Sequence, residues 1–272
     1  MVAALLITLR EGLEAALIVG VVLGVLRRLG HADRGRAVWL GVLAAVGVSV
    51  VAALALNAVG VAFEGRGEQI FEGVAMLVAA GVLTWMIFWM QRQGRQVQES
   101  LEQETRRALA ANNSRLLFGL AFVAVVREGI ETVLFLTAAT FSASPAQTLA
   151  GGALGLAIAV AMGVLIFVLG KQLNLRAFFR ATGAVLLLFA AGLLAYGVHE
   201  LQEAALLPVV VEHVWDVNHI LDEKGVAGSL LKSLFGYNGN PSLLEVVAYT
   251  GYFVAIWVAS RRGRPAGARV GA

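Results

Sequence analysis

Two segments of this chain carry the same charged pattern. One is Arg10-Glu11-Gly12-Leu13-Glu14 and the other Arg127-Glu128-Gly129-Ile130-Glu131. The surroundings match as well: Leu9 and Ala15-Ala16-Leu17 flank the first copy, Val126 and Thr132-Val133-Leu134 the second. On a helix, glutamates three residues apart share a face, and the arginine four residues before the second can pair with it. All three side chains then fall within an arc of about 100°. A lone carboxylate in such apolar surroundings costs several kcal/mol, so it protonates or takes a partner. Two facing copies would bring four carboxylates and two guanidiniums together, a net charge near −2 when all are ionised. All-oxygen ligation of that kind suits hard cations such as Fe(III), Mn(II), Mg(II) or Ca(II). The competing reading makes the Arg–Glu pairs a lock between two helices. Buried ion pairs stabilise poorly compared with apolar packing, which disfavours spending six charges on that purpose alone.

The elements that must carry these motifs follow from composition. The chain has 272 residues, 59% hydrophobic and 14% charged, with a formal net charge of +3. Soluble domains hold about 25% charged residues, so a soluble globule and a disordered chain are both excluded. The bases are not gathered into a soluble face with aromatics, which excludes a nucleic-acid partner. With no cysteine there is no disulfide, thiolate zinc site or iron–sulfur cluster, and five methionines give little support to a soft-ion relay. What remains is an all-α integral membrane protein whose partner is the lipid bilayer.

A helix crossing a bilayer needs about 20 mostly apolar residues. Seven stretches qualify: 5–26, 37–59, 69–90, 116–139, 147–169, 181–201 and 243–260. They are too long and too uniformly apolar for barrel strands. The first is interrupted by charge and has no basic leader, so it is expected to be a retained helix rather than a signal peptide. Gly20 and Gly24 form a GxxxG there, which predicts close helix packing. Alternate connections hold sixteen and three Lys or Arg residues, which places the N-terminus outside and the C-terminus in the cytoplasm of a cell (plasma or inner) membrane. The two motifs then lie in helices of opposite direction, three helices apart. That spacing predicts inverted three-helix repeats, about 1–90 and 116–201, within a single transmembrane domain over 1–272. An outer segment, about 202–242, and a seventh helix, about 243–260, complete it. The connection 91–115 is expected to be a solvated helical extension. The stretch 212–223, rich in His and acids, is expected to form an amphipathic helix on the outer surface. Glu68, Glu72, His199, Glu200 and Glu203 gather at the outer helix ends as a candidate entrance site for cations. Glu245 there reads as an ordinary helix-end acid.

The duplicated Arg-Glu-x-x-Glu resembles that of the oxidase-dependent iron permeases, a family that includes fungal high-affinity permeases and bacterial elemental ferrous iron uptake permeases. Phe71-Glu72-Gly73, the run from Gly197 to Glu203, Leu234-Phe235-Gly236-Tyr237 and Pro241-Ser242 are similar to family sequence too. The resemblance implies Glu11, Glu14, Glu128 and Glu131 as metal ligands, with Arg10 and Arg127 as their partners. It implies iron as transported substrate, no permanently bound cofactor and no enzymatic reaction. A separate extracytoplasmic oxidase or iron-delivery protein would be the partner. Permeation of manganese or lead is the alternative.

Overall fold

A computed structural model describes residues 1–142, 144–170, 174–223 and 225–262. Lys171, Lys224, Arg264 and Arg269, counted in the charge asymmetry, lie outside the described residues. Where no water competes for the backbone, an apolar run satisfies its own N–H and C=O groups by coiling, and the described residues form helices without a strand. They are α1 Val2–Arg28, α2 Gly35–Val61, α3 Arg66–Ala110, α4 Ser114–Ser142, α5 Pro145–Phe167, α6 Leu175–Glu203, α7 Val226–Phe235 and α8 Leu243–Arg262. Local signals set several of the starts. Ser144 caps α5 by accepting from the Gln147 amide, with Pro145 at the first helical position. Asn174 caps α6 through the Ala177 amide. Ser242 and Glu245 bond reciprocally across the first turn of α8, a capping box.

Among the described residues, five segments are long and apolar enough to cross a bilayer: Ala32–Val61, Arg66–Met90, Pro145–Phe167, Leu175–Glu203 and Leu243–Arg261. The helices α1 and α4, with 27 and 29 residues, extend about 40 Å at 1.5 Å per residue. Their motif charges set them apart from the other five. The outward surface is apolar, with Leu43, Val51 and Leu54 of α2 and Val254 of α8 each more than 60% exposed. Water would not tolerate such a belt, whereas lipid requires one.

The packing pairs α1 with α5, α2 with α4 and α3 with α6, and α1 crosses α4. Small residues permit the closest approaches. A side chain on Gly155 of α5 would collide with the Leu5 carbonyl and the Thr8 hydroxyl of α1. One on Gly41 of α2 would meet the Phe118 carbonyl of α4. The GxxxG of α1 divides: Gly20 lies against the Phe167 ring, whereas Gly24 faces open space. Gly155→Leu is therefore expected to destabilise the bundle by about 1–3 kcal/mol, as overpacking does, and Gly24→Leu to leave it unchanged. Thermal unfolding in detergent micelles measures both.

Two expectations for the connections change. The helical extension of α3 is present through Ala110 but is not fully solvated. Thr105 and Ala108 are buried, and Ala108 joins Val22, Leu26, Val38 and Leu117 in one apolar cluster. The surface helix expected at 212–223 is absent, and the helix α7 lies after it. The Asp216 carboxylate accepts from the Asn218 amide, and the amides of Val214 and Val217 donate to the carbonyls of Pro241 and Gly239. These bonds occupy the groups a helix would have used.

Candidate metal centre

The crossing of α1 and α4 brings the two motifs face to face. One carboxylate oxygen from each of Glu11, Glu128 and Glu131 lies within 4.8 Å of the others, and all three residues are buried. A hard cation with metal–oxygen distances of about 2.1 Å spans roughly 4.2 Å between opposite ligands, so small side-chain shifts close the trio on an ion. Each acid keeps one buried oxygen, Oε2, without a hydrogen-bond partner among the described residues. Buried polar atoms are ordinarily satisfied. Three buried acids converging from two helices, each with an unsatisfied acceptor, are what a cation would complete.

Two of the other oxygens, on Glu11 and Glu131, are held by the motif's own cations. Arg10 Nη1 donates to Glu11 Oε1 at 3.0 Å, and Nη2 lies 3.1 Å from Glu14 Oε1. Arg127 Nε donates to Glu131 Oε1 at 2.9 Å. Glu14, expected as a fourth ligand, lies outside the 4.8 Å trio, and its Oε1 beside Arg10 is likewise buried without a hydrogen-bond partner among the described residues. The two arginines differ in environment despite their matching sequence. Arg10 is 2% exposed and the largest fully buried side chain, whereas Arg127 is 38% exposed.

The glycine inside each motif has a packing role. A side chain on Gly12 would press on Ala159 of α5, and one on Gly129 would strike Ser49 of α2. The neighbouring helix thus lies close behind each glutamate pair. Sequence inspection missed the helix that holds the cations. Arg10 reaches the sulfurs of Met86 and Met90 on α3, and the Arg127 guanidinium stands 4.7 Å from the centre of the Trp89 ring. The spacing of 86, 89 and 90, one helix face, was the available signal.

The candidate entrance residues gather at the other landmark, the end formed by the start of α3 and the finish of α6. Gly73 packs on the Gly197 carbonyl and sets Glu72 beside Glu200 and Glu68, near enough for their charges to interact. His199 and Glu203 are engaged in structure. The His199 ring faces Glu245 through Nδ1 at 3.0 Å and Glu203 through Nε2 at 3.2 Å, and Gln69 donates to Glu203. Glu245 is 3% exposed and accepts from Asn238 Nδ2 and the Ser242 amide besides. It anchors the first turn of α8 to α6. Nearby, Gly236 adopts the left-handed conformation (φ +67°) that ends α7 and packs on Gly192 of α6, and Tyr196 donates to the Tyr237 carbonyl. The scattered segments resembling iron permeases therefore meet in one cap.

The molecule is an all-helical, multi-pass membrane protein with three acids buried together between two of its helices. Residues 1–260 match the iron permease FTR1 family, and the chain belongs to that family. It is 38% identical over 259 residues to a ferrous iron permease EfeU of Escherichia coli O6:K15:H31, a match covering 93% of each chain. It is 34% identical over 251 residues to the ferrous iron permease EfeU of Yersinia pestis, covering 92% of this chain and 89% of that one. An uncharacterized protein of Archaeoglobus fulgidus is 37% identical over 264 residues, covering 94% and 93%. No solved structure matches the chain.

Proposed function

We propose that this chain carries iron across the cell membrane through a site made by Glu11, Glu128 and Glu131. The observation that carries the assignment is the buried approach of Glu11, Glu128 and Glu131 within 4.8 Å where α1 crosses α4. Glu14 joins when Arg10 releases it, and Arg10 and Arg127 balance the site when it is empty. The ion named for the bacterial relatives supports iron over manganese or lead.

The topology we assign has seven membrane-crossing helices, α1 to α6 and α8, with the N-terminus outside and the C-terminus in the cytoplasm. Two inverted repeats, α1–α3 and α4–α6, form one transmembrane domain. An exchange of packing partners supports the repeat. The first helix of each repeat packs on the second helix of the other, and the two third helices pack together. Iron collects at Glu68, Glu72 and Glu200 on the outer face, with His199 and Glu203 at the rim. A separate extracytoplasmic oxidase or iron-delivery protein supplies it, and no cofactor stays bound.

A metal-soaked crystal measured at the iron absorption edge tests the site. Anomalous density between α1 and α4 is the expected result, and density only at the outer end would refute the assignment. Competition by manganese and lead in reconstituted vesicles tests the ion, with iron expected to be taken up in preference.

A further inference from the structure

The arginines of the proposed iron site have unusual company. A guanidinium offers five N–H donors, and a fully buried one ordinarily finds carbonyls or carboxylates for them. Arg10 spends one donor on Glu11 and directs others at two thioether sulfurs, those of Met86 and Met90, while its Nε has no partner among the described residues. Sulfur is a weak, uncharged acceptor. It fixes the direction of the guanidinium without neutralising it. Arg127, besides its ion pair with Glu131, stands over the face of Trp89. Residues 86, 89 and 90 stand at i, i+3 and i+4, so a single stripe of α3 steadies both cations. Among the described residues, no carboxylate of α3 joins the acid trio.

We infer that Met86, Trp89 and Met90 are positioning residues of the iron site. They hold the two guanidiniums away from the free Oε2 atoms of Glu11, Glu128 and Glu131, which keeps those oxygens open to the cation. They also give Arg10 a resting place when Glu14 turns to the ion. The inference rests on the assignment of that trio as the iron site. Without the sulfurs, Arg10 is drawn fully onto Glu11 and Glu14 and competes with iron for them.

The test is uptake of ferrous iron by vesicles reconstituted with the full chain. Met86→Leu combined with Met90→Leu keeps side-chain volume and removes both acceptors. It is expected to raise the KM for iron about tenfold, the scale of one weak interaction lost at a buried cation, with maximal rate little changed. Met86→Gln in the wild-type background returns an acceptor and is expected to keep a KM near that of the wild type. The single variant Met90→Leu, at a half-buried position, gives the same direction of change should the double variant fail to accumulate. A wild-type KM in the leucine variants overturns the inference. So does a Gln variant as impaired as the double leucine variant, because packing alone would then explain the loss. Glu128→Gln, run in parallel, keeps the failures apart. If it transports normally, the iron site itself is misassigned and the inference falls with it. If it is inactive while the leucine variants are normal, only the role of α3 is refuted.

Discussion

Glu131→Gln is expected to cut iron uptake by about a hundredfold or more, beyond the 10–100-fold cost typical of losing an outer partner of a metal ligand. The substitution keeps the length and shape of the side chain, so the effect is chemical. Glu131 has two duties. Its Oε1 holds Arg127 and its Oε2 is one of the three unpartnered oxygens of the trio. An amide oxygen still accepts from Arg127 Nε, but it brings no charge to the cation, and the trio falls from three anionic ligands to two. Arg127, half-relieved of its counter-anion, also repels the incoming ion. Glu11→Gln is expected to behave alike through Arg10. Uptake of labelled iron into vesicles, normalised to the amount of folded protein, measures the loss. Uptake at the wild-type rate in both variants would sink the proposed site.

Arg10→Met is the second large effect, and it falls on stability. Arg10 is enclosed between α1 and α3 and faces Glu11 at 3.0 Å and Glu14 at 3.1 Å. Removing one partner of a buried ion pair leaves charge uncompensated and costs about 3–5 kcal/mol. Here two carboxylates lose the same cation, and their alternative is to take up protons. Arg127→Met is expected to cost less than Arg10→Met, because Arg127 contacts one carboxylate and one aromatic face whereas Arg10 faces two carboxylates. Thermal unfolding of both variants in the same detergent is the measurement. Equal losses would show that the different contacts of the two arginines have no energetic consequence. The contrast is informative because the two pentapeptides differ only at Leu13 and Ile130.

Much of this molecule was legible before any coordinates. The apolar runs forecast helices, and the charges inside two of them marked a family to which the chain belongs. The Ser242–Glu245 box and the Ser144–Pro145 start escaped sequence inspection, although capping depends only on residues within one turn. The segment 212–223 misled for a different reason. Its His and acid spacing suits a helix face, but Asp216 bonds locally to the Asn218 amide, and the amides of Val214 and Val217 find acceptors near residue 240, remote in sequence.

The candidate site divides along the same line. Spacing alone put both glutamates and the arginine of each motif on one helix face, because that depends only on 3.6 residues per turn. Which three of the four carboxylates meet depends on how deeply α1 and α4 interlock, with Gly12 and Gly129 seated against Ala159 and Ser49 behind them. Glu14 lies outside the trio, 3.1 Å from Arg10, and Arg10 reaches the sulfurs of a third helix. Periodicity is a property of neighbours along the chain. The choice of ligands belongs to contacts between helices dozens of residues apart, which the periodicity within one helix does not report.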